Sequence, residues 1–364
     1  MNVDVAISAR EDLPIWIVYG APVFTIIAAL AVGAIALVVL QFDPVAVYNV
    51  MFIETVTNTF GLTNTFVRAV PLILAGLAVY LPLRGGLWNI GAEGQLYVGA
   101  IAGTWVGLNL GLPAILLVPL MLLAALGAGA VWAGIPGWLR AKWEVNEIIT
   151  TLLLTFVAIK LTGYMVRGPM QGGEGNFPVT ALLPDAAQFP LIPGTEVHIG
   201  ILVALLSAAV VYALLRATRL GFEITFVGSN PDAARQAGIN SVYVYVFVLV
   251  AGGALAGMAG IAEVAGVQSR LRPDFSPGYG FTAIPIALLG RNGAPQVVLA
   301  ALFFAVLFVG GFGIRTQFGV PSALVDVLQA LVILFLITAE FVKRYEVSIE
   351  IDRDAEPAAS GEVA

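Results

Sequence analysis

Apolar residues in this chain form long, nearly continuous stretches rather than an alternation with polar ones. Ile26–Leu40 and Leu324–Ile337 are two such stretches, and polar residues collect in the gaps between them. A membrane β-barrel strand would instead alternate over about 10 residues. A helix needs about 20 mostly apolar residues to cross a bilayer. On that measure spans are predicted near Ile15–Leu40, Thr65–Leu83, Ile90–Leu108, Pro113–Ile135, Ile148–Val166, Ile199–Leu215, Val242–Val264, Phe281–Leu289, Gln296–Phe312 and Ser322–Phe341. That makes about ten, and the short eighth segment has a re-entrant loop as its alternative.

Composition points the same way. Of 364 residues, 59% are hydrophobic and 11% charged, against roughly 25% charged in soluble domains. Mean hydropathy is +0.95. In lipid the backbone must satisfy its own hydrogen bonds, which leaves helices or closed barrels. The expected fold is therefore an all-α integral membrane protein. There is no cysteine, so no disulfide and no thiolate metal site, and neither a metal nor a cofactor is expected. The net charge is −6, and no basic arm suggests nucleic acid. Asp4, Glu11 and Asp12 precede the first apolar run, where a cleavable signal would be positive.

Orientation follows from Lys and Arg in short loops. With the N-terminus inside, Arg10, Arg84, Arg140, Lys142, Arg216, Arg219, Arg235, Arg291, Lys343, Arg344 and Arg353 face the cytoplasm. The smaller outer group is Arg68, Lys160, Arg167, Arg270, Arg272 and Arg315. This bias predicts both termini in the cytoplasm and an even number of spans. The organisation expected is a cytoplasmic segment 1–14, a transmembrane domain 15–342 with a cytoplasmic loop at 217–241, and a cytoplasmic tail 343–364. The tail after Asp352 is polar with small residues, a composition that favours disorder. Two outer loops are long, Gln41–Asn64 and Arg167–Glu196. The second carries Gly172, Gly173, Gly175 and five prolines, and either receives a partner or simply connects.

Ionisable groups at membrane depth are costly and so are candidates for a solute path. Glu93, Glu263 and Asp326 fall in or near spans. Asn89, Glu93 and Gln95 sit among Gly85, Gly86, Gly91 and Gly94. They offer hydrogen bonds to a polar, uncharged solute on a transport path; the alternative is a buried network that locks helix packing. Arg68 and Lys160 are expected to snorkel outward. His198, the one histidine, reads as an interfacial polar residue, with a proton relay as the alternative. The small residues of Gly252–Gly266 allow close helix approach, within the chain or across a dimer seam. Spans two to five and seven to ten each contain a glycine-interrupted second member, Gly85–Gly94 and Gly278–Gly290. Such matching breaks predict two inverted halves.

The loop Arg219–Asn240, RLGFEITFVGSNPDAARQAGIN, carries its own helix punctuation. Asn230 suits an N-cap, Pro231 the first helical position, and Asp232 the positive end of the dipole. Gly238 suits the left-handed turn that ends a helix. A helix this short does not stand alone. It rests on its own membrane domain or on a partner.

This stretch resembles the coupling-helix segment of the ABC importer permeases for ribose, nucleosides and branched-chain amino acids, G-x-x-x-R-A-V-G-x-N-P-x-A-A-x-x-x-G-I. Gly228, Asn230, Pro231, Ala233, Ala234, Gly238 and Ile239 match; the pattern's Arg-Ala is Thr225-Phe226 here. Leu87–Gln95, LWNIGAEGQ, is similar to the F-N-I-G-A-E-G-Q of the nucleoside and simple-sugar branch. Pro277–Gly290 is similar to the family's G-Y-G-F-x-A-I-A-V-A-L-L-G. The resemblance covers nearly the whole chain after about Val67. It implies a two-half, ten-helix permease in the cell membrane that moves a nucleoside or simple sugar. It also implies a separate ATPase subunit docked at Asn230–Gly238, a second permease chain that is a paralogue, and an extracytoplasmic solute-binding protein.

The sequence has no G-x-x-x-x-G-K-[ST] phosphate loop, no H-E-x-x-H and no G-x-S-x-G, so no catalytic residue is expected. Two rival readings fit the sequence as well: an ion-coupled secondary transporter using Glu93, Glu263 and Asp326, and a non-transporting membrane scaffold.

Overall fold

The structure is a computed structural model and describes residues 2–9, 15–172 and 177–352. Arg10, Gly173, Gly175, Arg353 and the tail beyond Asp352 lie outside the described residues. Every predicted span falls on a helix, and among the described residues six helices are both long and apolar enough to cross a membrane. The chain divides into two compact units, residues 1–44 with 321–364, and residues 45–320.

In the first unit α1 (Ile15–Val39) packs against α14 (Ser322–Arg344). Beyond them β1 (Asn2–Ala9) pairs antiparallel with β2 (Tyr345–Asp352), from Asn2 opposite Asp352 to Ala9 opposite Tyr345. This ribbon is an addition to the helical fold read from the sequence. The strands mix Val and Ile with acidic residues over few positions, which is not the long apolar run that marks a span.

The second unit begins with α2 (Pro44–Tyr48), a π-helical turn over Asn49–Glu54 and α3 (Thr55–Thr57). Its central helix is α4 (Thr59–Arg84), most of whose span is buried inside the protein. Packed against it are α5 (Ala92–Asn109), α8 (Gly200–Ala217), α11 (Ser241–Glu263) and α13 (Ala294–Phe318), while α6 (Ala114–Trp143) packs on α11 and α5, and α7 (Glu147–Arg167) on α5. The short helices α9 (Arg219–Ser229), α10 (Pro231–Gln236) and α12 (Tyr279–Leu289) complete the unit. At 11 residues α12 falls well short of the roughly 20 that a crossing needs.

Asparagine and threonine caps set many of the starts. Asn58, Asn146, Thr218, Asn230 and Asn240 each accept a backbone N–H from the first turn of the helix that follows, replacing a bond the helix cannot make itself. The interior is held by small residues. A Cβ on Gly260 would run into the carbonyl of Leu96, and one on Gly129 into that of Gly253. The backbones of α5, α6 and α11 therefore touch directly, the close approach that glycine permits in membranes. The Gly252–Gly260 part of the small-residue stretch thus packs within the chain.

Candidate transport and coupling sites

Two polar centres lie inside the second unit. The first surrounds the break between α4 and α5. Pro82 has no N–H, so the carbonyl of Ala78, four residues earlier, lacks its helical partner. The Asn89 amide supplies it, donating to Ala78 O at 3.1 Å. The same amide donates to Gln95 Oε1 at 2.9 Å, and Gln95 donates back to Asn89 Oδ1 at 2.8 Å. Both side chains are fully buried. A broken helix end is thereby closed by a reciprocal amide pair.

Glu93 is also buried, on the second residue of α5. Its Oε2 accepts the backbone N–H of Gly280 at 2.5 Å, and the Ser276 hydroxyl hydrogen-bonds to the same carboxylate. Gly280 is the second residue of α12. The two helix N-termini therefore meet end to end, and a Cβ on Gly280 would strike the Glu93 backbone. Two positive dipole ends face each other there, and one carboxylate sits between them.

The second centre joins Arg68, Glu263, Gln268 and Tyr279. Arg68 Nη1 donates to Glu263 Oε1 at 3.1 Å and to the Tyr279 hydroxyl at 2.7 Å. Gln268 Nε2 donates to the same Glu263 oxygen at 2.9 Å and to Phe275 O at 2.7 Å. Arg68 thus turns into the protein rather than outward as expected. The reason is Glu263, whose side chain is wholly buried and needs a cation to carry charge away from water. Lys160 is exposed on α7, and Asp326 is exposed on α14 in the other unit. Lys160 joins neither centre.

His198 lies outside the spans, next to Gly200 at the head of α8. Its ring is buried against Phe189 and Gly266, and Nδ1 accepts the Gly200 N–H at 3.2 Å. Burial lowers its pKa to about 4, so the imidazole is neutral near pH 7.

The coupling segment is a third site, on the surface. Asn230 Oδ1 accepts from Ala233 N at 2.9 Å, and Pro231 opens α10. Gly238 holds φ +80°, and Ile239 N closes back on Ala234 O at 3.0 Å. Ala234 is buried in an apolar cluster with Leu81, Ile224, Val227, Val244 and Val248, and Ile239 packs onto it. Gly228 abuts the backbone of Arg84 and Gly85. Asn230, Pro231, Asp232, Arg235 and Gly238 are exposed, and Ala233 is half-buried. The short helix thus rests one face on its own domain and turns the other to solvent.

Sequence reasoning missed the Arg68 partnership and the contact of Arg84 Nη2 with Thr225 Oγ1 at 3.3 Å. The signal for the first was present, since Glu263 is an acid inside an apolar run. What no sequence pattern supplied was the pairing of residues 195 positions apart.

Long apolar helices, charges paired in the interior and a capped helix on a surface loop define a multi-pass membrane permease. Comparison with known proteins agrees. The chain belongs to the family of branched-chain amino acid transport system permease components, whose model matches residues 61–337. It is 62% identical, over 99% of each chain, to the glucose ABC transporter permease protein TsgB13 of Haloferax volcanii. It is 35% identical to the guanosine ABC transporter permease protein NupP of Bacillus subtilis, over 86% of this chain and 92% of that one. A second Haloferax volcanii protein, the putative glucose ABC transporter permease protein TsgC13, is 25% identical over 68% of this chain and 75% of that one.

Proposed function

We propose that this chain is the permease subunit of an ATP-driven importer carrying glucose or a related sugar, with nucleosides as the alternative cargo of the same branch. The observation that carries this is the 62% identity to a glucose permease along 99% of both chains. The guanosine permease, at 35%, keeps the nucleoside reading in view.

In this reading the chain crosses the membrane about ten times in two inverted halves, and the short α12 completes the eighth crossing together with the non-helical segment that precedes it. The end-to-end meeting of α5 and α12 at Glu93 and Gly280 supports the symmetry. Both termini lie in the cytoplasm; the pairing of β1 with β2 supports an even number of crossings, because it holds residues 2–9 and 345–352 on one side. A separate ATPase subunit docks on the segment formed by Gly228, Asn230, Pro231, Ala233, Ala234, Gly238 and Ile239. In that interface Ala234 and Ile239 seat the helix, while Asn230, Pro231 and Gly238 meet the partner. The second permease is a paralogue, as the two permease proteins of Haloferax volcanii suggest, and a binding protein outside delivers the solute. Asn89, Glu93 and Gln95 shape the transport path by holding the broken helices beside it.

The test is uptake into liposomes holding this chain, the ATPase, the second permease and the binding protein. ATP-dependent accumulation of glucose or guanosine is expected. Uptake by this chain alone, driven by an ion gradient without ATP, would overturn the reading.

A further inference from the structure

We propose that Arg68, Glu263 and Gln268 bind two adjacent ring hydroxyls of the solute as it passes. The proposal rests on the reading of the chain as a sugar or nucleoside permease, and adds the place and chemistry of contact.

Glu263 ends α11, and Gln268 ends the π-helical turn Val264–Gln268 that follows. Glu263 Oε1 accepts from both Arg68 and Gln268. Its other oxygen, Oε2, is buried and has no hydrogen-bond partner among the described residues. Gln268 Oε1 is in the same condition. These two acceptors belong to side chains that are hydrogen-bonded to each other, so they are neighbours. The Tyr279 hydroxyl also lies against the Glu263 carboxylate, and Tyr279 itself is wholly buried.

Arg68 completes the set. Both its bonds here use one nitrogen, Nη1, whereas a guanidinium has five N–H donors. Its side chain is 37% exposed, while that of Glu263 is 0%. The cluster is thus reached from the arginine side, and its two free acceptors become accessible to a solute only when the surrounding helices part during transport.

The chemistry of the set selects the ligand. A hydroxyl donates one hydrogen bond and accepts others. Two adjacent hydroxyls donating to Glu263 Oε2 and Gln268 Oε1, and accepting from Arg68, would use every group left over. An anion would face Glu263, and a cation would face Arg68. The paired charges nearly cancel, which suits a neutral polyol. Adjacent ring hydroxyls are the feature that glucose shares with the ribose of a nucleoside, so one such site serves either cargo. Aromatic rings stand close by, with Tyr97 against Phe275 at 4.7 Å and Tyr279 against Phe308 at 5.8 Å.

The test compares glucose with its singly deoxygenated analogues, in the fully assembled transporter in liposomes, with the binding protein saturating. Gln268→Met removes one acceptor with little change in volume, and Glu263→Gln keeps shape while removing the charge. Both are first checked for monodispersity in detergent. Each variant is expected to lower glucose uptake at least about tenfold, the loss of one buried hydrogen bond to the solute. One deoxy analogue should lose far less, so the preference for glucose over it collapses toward one. A structural role would slow glucose and every analogue by the same factor, and that result, or no change at all, overturns the proposal. Guanosine and 2′-deoxyguanosine repeat the comparison if the assembly carries nucleosides. An unmodified assembly that accumulates neither glucose nor guanosine would overturn the wider functional reading, and this site with it.

Discussion

The carboxylate of Glu93, on the second residue of α5, accepts the backbone N–H of Gly280, on the second residue of α12, at 2.5 Å. Two helices that begin 187 residues apart in sequence are thereby joined tip to tip in the interior. Glu93→Leu leaves that N–H buried without an acceptor, and about 1–3 kcal/mol of stability should go. Glu93→Gln retains an acceptor oxygen and should lose less. Thermal unfolding in detergent separates the two.

Asn89 repairs the carbonyl that Pro82 strands. Asn89→Leu should cost about 1–3 kcal/mol, as a buried amide partner is lost. In a Pro82→Ala background the new N–H can reach Ala78 O, so the same substitution should cost less. The two effects should therefore be non-additive by about 0.5 kcal/mol or more. Additive losses would sink the account of why Asn89 is there.

Breaking the Arg68–Glu263 pair from one side leaves a buried charge alone. Arg68→Leu is expected to destabilise the protein by about 3–5 kcal/mol, while the double change to leucine at both positions should recover most of that. Chemical denaturation in mixed micelles measures the difference. Uptake should remain impaired in the double variant, which separates the stability of the pair from its use.

On the exposed face of α10, Asp232 and Arg235 form an ion pair in solvent. Such exposed pairs contribute little to stability. Asp232→Arg with Arg235→Asp should leave the melting temperature nearly unchanged and cut ATP-dependent uptake sharply. By contrast Asn230→Ala removes a cap and should cost about 1 kcal/mol in stability as well. Ala234→Pro is a poorer probe of docking, because Ala234 lies in the protein's own apolar cluster and its N–H bonds Asn230 O.

His198 gives a pH dependence of definite sign. Its folded pKa is about 4 against roughly 6.5 when unfolded. Between those values the unfolded chain binds more protons, so stability rises with pH. The contribution is complete above about pH 6.5 and is lost as pH falls toward 4. His198→Gln should flatten that part of the stability profile. An unchanged profile would show that the buried ring is not what titrates.

Most of the helical framework was legible because a membrane span is a one-dimensional signal. Length and apolarity suffice, and each predicted segment lies on a helix. The start and stop of α10 were also legible, since Asn230, Pro231 and Gly238 act through their own local backbone. The interior centres were only half visible. Asn89, Glu93, Gln95 and Glu263 stand out as polar residues in apolar runs, but their partners depend on which helices touch. Arg68 reads as a snorkelling cation by position, and only the fold shows the Glu263 carboxylate 3.1 Å from it. The β1–β2 ribbon was illegible for a different reason. Its strands are short, and each finds its hydrogen bonds at the opposite end of the chain.

One helix, α4, touches both ends of this machinery. Arg68 holds Glu263 near its start, and Arg84 reaches Thr225 at its end, about 24 Å further along at 1.5 Å per residue. Pro71, three residues past Arg68, and Pro82, two residues before Arg84, each remove a backbone bond along it. A push delivered at the Thr225 end would therefore arrive at the solute contacts through a single jointed rod, with no relay of side chains required. Stiffening that joint with Pro71→Ala is the simplest way to ask whether transport depends on the rod bending or only on its moving.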